Sequence, residues 1–81
     1  MTRTLITLEL LGNENTLGFV KQVEGLKDLD IDEEYGLVLI SPKKHLYVIR
    51  VNGPVDAEKL MSVQPKVKGV SADVRIAPVN Q

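Results

Sequence analysis

Hydrophobic and polar residues alternate along residues 3–11, placing Thr4, Ile6, Leu8 and Leu10 on one side and Leu5, Thr7 and Glu9 on the other. A period of two with β-branched residues predicts a strand. Gly12 ends it, and Asn13, Asn15 and Thr16 each suit a helix N-cap, with Glu14 placed to meet the positive end of the helix dipole. Leu17, Phe19, Val20, Val23, Leu26 and Leu29 then predict a helix over 15–26, which Gly18 and Gly25 weaken by about 1 kcal/mol each relative to alanine. After the acidic stretch "KDLDIDEEYG", the apolar run Leu37–Ser41, the turn "SPKKH" and the β-rich "HLYVIRV" predict a hairpin over 36–52, with Pro42 at the second turn position. Asp56 can cap a helix over 57–63 whose apolar positions are Ala57, Leu60, Met61 and Val63, and Gln64-Pro65 stops it. Alternation returns over Val70–Val79, with Val70, Ala72, Val74 and Ile76 inward and Ser71, Asp73 and Arg75 outward.

The order is therefore strand, helix, strand, strand, helix, strand. Two amphipathic helices and four strands bury their apolar sides most simply when both helices lie on one face of a four-stranded antiparallel sheet. Right-handed crossovers then give an α+β, ferredoxin-like βαββαβ fold in a single domain spanning 1–81.

Composition narrows the functions this fold can carry. A chain of 81 residues buries only roughly 60–65% of the surface of its unfolded form, so its core is small. Apolar residues make up 43%, enough for a packed interior. A net charge of −1 argues against nucleic acid as partner, since phosphate binding needs a basic surplus. The absence of cysteine removes disulfides, thiol catalysis and thiolate metal sites. No run approaches the roughly 20 apolar residues of a membrane span, and the alternating "MTRTLITLEL" lacks the marks of a signal peptide. A cytoplasmic protein with no membrane partner and no cofactor is expected.

The loop "LLGNENTLGF" sits where small domains often place their chemistry. A glycine-led loop after the first strand, together with "VNGPVDAEKL" at the third-strand exit, resembles the heavy-metal-associated domain of copper chaperones. That family carries G-M-x-C-x-x-C at this loop, and its two thiolates bind a soft metal ion. Aligned on Gly12, its cysteines fall on Asn15 and Gly18, so the resemblance implies the architecture but not the metal. Asn15 and Thr16 are then helix-capping residues.

A second resemblance is local. "PKVKGVSAD" has the form P-x-V-x-x-V-x-x-D and is similar to the end of subtilisin-like protease prodomains and the stand-alone inhibitors related to them, with Met61 and Ser71 in place of their leucine and glutamate. The resemblance implies a sheet face that docks on a protease and a tail, Ala77–Gln81, that enters its cleft. Read without it, Pro65 stops a helix, Gly69 turns the chain, and Val67 and Val70 fill the core.

Other clusters carry less. Asp28, Asp30 and Asp32 begin as a calcium loop does, but Glu33 and Leu39 occupy the positions where that loop needs glycine and an acid. The stretch Asp28–Glu34 reads as a solvated, mobile loop, with weak Ca²⁺ or small-ligand sensing as an alternative. Lys43, Lys44 and His45 form a basic hairpin tip suited to an acidic partner or to solvent. His45, the only histidine, has no partners for a triad or a zinc site. No enzymatic constellation emerges.

The uncovered sheet face remains. On the third strand the pattern leaves the inward set open; if Tyr47, Ile49 and Val51 turn inward, then Leu5, Thr7, Glu9, Leu46, Val48, Arg50, Asp73 and Arg75 form a face that is apolar at its centre and charged at its rim, as interfaces often are. RNA-binding domains of this fold place aromatic residues there, and this face has no Phe or Trp. The expected function is a non-catalytic protein-interaction module that binds a protein partner, or a second copy of itself, through this face. With Val48 exposed, Val48→Glu should break binding and spare the fold. A protease inhibitor is the alternative.

Overall fold

A computed structural model describes residues 3–72. Six elements follow in the expected order: β1 (Arg3–Glu9), α1 (Leu17–Val20), β2 (Val38–Ser41), β3 (Leu46–Asn52), α2 (Ala57–Val63) and β4 (Val67–Ala72). The four strands form one antiparallel sheet in the order β2-β3-β1-β4, the ferredoxin-like arrangement.

The alternation in β1 becomes its burial. Thr4, Ile6 and Leu8 are buried, while Leu5, Thr7 and Glu9 are half-exposed on the opposite side. Ile6 and Leu8 pack with Ile49 and Val51 of β3, Val67 of β4, Val20 of α1 and Leu60 of α2. Each such side chain, once fully buried, contributes about 1.5–3 kcal/mol, so this layer holds sheet and helices together. Thr4, buried among them, donates its hydroxyl to the Gly53 carbonyl at 2.9 Å, which removes the cost of an unpaired polar group.

α2 matches its expected bounds. The Asp56 side chain accepts from the Lys59 N–H, and Gln64 leaves the helix in an extended conformation before Pro65. Of its four expected apolar positions, however, only Leu60 is buried; Met61 and Val63 are exposed. Gln64 has a larger part than that of a stop. Buried, it donates Nε2 to the Glu24 carbonyl at 2.9 Å and accepts from the Lys66 N–H at 3.2 Å. This ties the connection after α1 to the corner between α2 and β4.

The expected 15–26 helix is one turn long. Thr16 caps it, accepting from the Phe19 N–H at 3.1 Å. Beyond Val20 the chain continues in tight turns: Gln22 donates to Phe19, Val23 to Val20, Leu26 to Val23 and Leu29 to Leu26. These bonds span three residues rather than four, and the buried side chains keep the same step: Val20, Val23 and Leu26. Gly25 shows why a regular helix cannot persist. Its φ is +89°, in the left-handed region, and a Cβ there would lie 3.3 Å from Leu60 Cδ1.

Three further expectations are corrected. The β2–β3 turn closes from the Pro42 carbonyl to the His45 N–H, so Pro42 is its first residue rather than its second, and His45 takes φ 56°. β4 begins at Val67, not Val70. Gly69 does not turn the chain; it lies within β4 opposite Thr7, beside a register shift. Val74, Ile76 and the rest of the expected strand up to Val79 lie outside the described residues.

Candidate protein-interaction surface

The register of the sheet assembles the expected face. Leu5 pairs with Arg50, Thr7 with Val48, and Glu9 with Leu46. Directly opposed residues on antiparallel strands point the same way, so these six share the face away from the core. Asp73 and Arg75 lie outside the described residues. On β4, Ser71 stands opposite Leu5 and Gly69 opposite Thr7, and Lys68 reaches Glu9 at 3.6 Å.

The face is less open than its pattern suggests. Val48 is only 8% exposed, and Leu5 and Leu46 are half-buried. Arg50 is not a solvated rim charge. It donates Nε and Nη2 to Asp32 Oδ2 at 3.0 and 2.6 Å, and its guanidinium lies 4.8 Å from the centroid of the Tyr35 ring. The acidic stretch therefore has a defined structure, contrary to the mobile loop expected. Ile31 bridges to Val51, Asp32 donates its N–H to the Arg50 carbonyl, and Asn52 donates to the Asp30 carbonyl, so residues 30–32 extend the β2 side of the sheet. Asp32 Oδ1 then accepts from the N–H groups of Glu34 and Tyr35, closing a turn that Gly36 completes on the Asp32 carbonyl.

These roles disperse the carboxylates. Asp30 accepts from Asn52 and Asp32 from Arg50, while Glu33 meets Lys21 at 2.8 Å. Among the described residues no three acidic or histidine side chains converge on a point where a metal ion would sit.

The Arg50 hydrogen bond holds the Asp32 carboxyl below its ordinary value of 3.8, and the N–H groups of Tyr35 and Glu34 act in the same direction. A carboxyl whose folded-state pKa is depressed stabilises the fold at pH values above its unfolded pKa, and that contribution is lost as pH falls through the folded value. The urea midpoint should therefore be level from pH 7 to about pH 4 and fall below that. Asp32→Asn should lower the plateau and flatten the acid limb. An unchanged acid limb in Asp32→Asn would show that the pair does not couple to folding.

The opening loop is held by side chains rather than poised for chemistry. Glu14 does not sit at the helix dipole. It accepts from the Leu11 N–H at 2.9 Å and pairs with Lys66 at 2.7 Å, bonds that also lower its pKa, that to Lys66 foremost. Asn15 donates to the Tyr47 hydroxyl at 3.4 Å. The basic tip Lys43, Lys44 and His45 is exposed as expected.

The surface that sequence reasoning missed is β2. Val38, Leu39 and Ile40 are consecutive and 39%, 49% and 51% exposed. Val38 pairs with Val48 and so extends the uncovered face, while Leu39 pairs with Tyr47 and turns the other way. The run was visible in the sequence as "VLI". Read as half of a hairpin, it did not reveal that it forms the edge of the sheet. An open groove of about 580 Å³ lies on the other side of the molecule, between Glu24–Leu29 and α2. Its charged lining residues, Glu24, Lys27, Asp28, Asp56 and Lys59, are of mixed sign. Among the described residues no helix is long and apolar enough to cross a membrane. Comparison with known protein families, curated proteins and solved structures finds no match to this chain.

Proposed function

We propose that this chain is a non-catalytic, cytoplasmic protein-interaction module, and that it engages a protein partner through the β2 margin of its uncovered face. The observation that carries this reading is the run Val38–Ile40, three successive aliphatic side chains left exposed on an edge strand. Edge strands of soluble domains are ordinarily protected by charge, proline or cover. Contiguous exposed apolar surface marks a contact site. Leu46, half-buried, continues the patch inward, and Glu9 and Lys68 rim it.

The test is site-specific photo-crosslinking in cells. A photoreactive residue at position 38 should give discrete protein adducts, whereas one at position 59 on α2 should give few. Val38→Glu, introduced at an exposed position, should leave the fold intact and abolish adducts formed from position 40. Equal labelling from positions 38 and 59 would overturn this reading.

A further inference from the structure

We propose that the occupant of the β2 edge is a second copy of this chain, paired antiparallel about a two-fold axis at Leu39 to give a continuous eight-stranded sheet. This rests on the reading of β2 as a contact surface and names its partner.

The backbone is prepared for such pairing. Asp32 donates to the Arg50 carbonyl and the Asp30 carbonyl accepts from Asn52, so the even-numbered residues of β3 aim their N–H and C=O groups toward this edge. Val38, opposite Val48, uses its own groups on β3. The alternation then turns the N–H and C=O of Leu39 away from the sheet. No charged residue and no proline lies within Val38–Ser41, so of the devices that protect an edge strand β2 itself carries only the register shift between Leu39 and Ser41.

Charge selects the partner and the direction. Glu33 and Glu34 precede β2, and Lys43 and Lys44 follow it. Among the described residues Glu34, Lys43 and Lys44 make no ion pair. All three are exposed. The edge is therefore negative at one end, apolar in the middle and positive at the other. Turning a second copy by a half-rotation about Leu39 brings the Lys43–Lys44 end of each copy toward the Glu34 end of the other, with the aliphatic runs between them. A parallel arrangement would set lysine against lysine and carboxylate against carboxylate, which is unfavourable. The pattern is self-complementary, as a two-fold interface requires, and the contact closes at two copies.

Sedimentation equilibrium of the full chain should show a monomer–dimer equilibrium with no larger species. Lys44→Glu and Glu34→Lys each reverse a charge at both symmetry-related ends, and each should weaken dimerisation by about tenfold or more. An equimolar mixture of the two variants should recover the wild-type dissociation constant, because each carboxylate again meets a lysine. Circular dichroism checks that both variants keep the fold. A wild-type chain that stays monomeric, open-ended assembly, or a mixture that dimerises no better than its components would each overturn the proposal. A monomeric chain that still gives adducts to other proteins from position 38 leaves the contact surface standing and removes only the second copy. The absence of adducts from position 38 removes the surface itself.

Discussion

Val48→Glu should lower the stability of the domain by about 3 kcal/mol, whereas Val38→Glu, at its cross-strand neighbour, should change it by less than about 0.5 kcal/mol. Both valines sit on the uncovered face and pair with each other. Yet Val48 is 8% exposed and Val38 39%. A carboxylate at position 48 would be held between two strands with most of its hydration removed. The cation two residues away on its face, Arg50, already gives two hydrogen bonds to Asp32. A carboxylate at position 38 reaches water directly. The domain's total stability is roughly 4–12 kcal/mol, at 0.05–0.15 kcal/mol per residue, so the loss at position 48 is a large fraction of it. Urea unfolding of both variants decides the matter. Equal midpoints would mean that Val48 is not part of the packed structure. The expectation that Val48→Glu would spare the fold is thereby replaced, and Val38→Glu becomes the substitution that separates binding from folding.

The contrast between these two valines shows what alternation can and cannot convey. It placed Leu5, Thr7 and Glu9 on the face away from Ile6 and Leu8, but on β3 it left the inward set open, and the structure buries Val48 as well as Ile49 and Val51. Alternation is a local property of an extended backbone. It could not say which residues of that face end at an edge, because strand order is set by crossovers and not by any one strand. The Asp32–Arg50–Tyr35 cluster was hidden for a related reason. Asp32 and Arg50 are 18 residues apart, and they meet only because residues 30–32 pair with β3 before β2 does. α2 was legible because its signals are local and mutually consistent: Asp56 at the cap and Gln64-Pro65 at the end. The candidate surface was thus half visible. Its central residues follow from period two, while its exposed margin follows from topology.

Leu26→Ala should cost about 3 kcal/mol, the usual scale for emptying a leucine site in a core, even though Leu26 lies outside any regular helix. Leu26 is 1% exposed and packs in the same cluster as Ile6, Leu8 and Ile49. Its N–H donates to Val23, and its carbonyl accepts from Leu29. The connection that carries it is fixed by Gln64, whose amide holds the Glu24 carbonyl, so the backbone has little freedom to collapse into the space a truncated side chain leaves. Leu17 offers the comparison. It belongs to the regular turn of α1 but only packs partly against the core, and Leu17→Ala should cost about 1 kcal/mol or less. If helical order governed stability here, the ranking would reverse. The three-residue spacing of Val20, Val23 and Leu26 predicts otherwise. This segment contributes through buried side chains placed by successive tight turns, and amides at Val23, Leu26 and Leu29 should exchange with solvent almost as slowly as those of β1. Fast exchange at those three amides, with a Leu26→Ala cost near that of Leu17→Ala, would show that residues 21–29 are a loop laid over the core and not part of it.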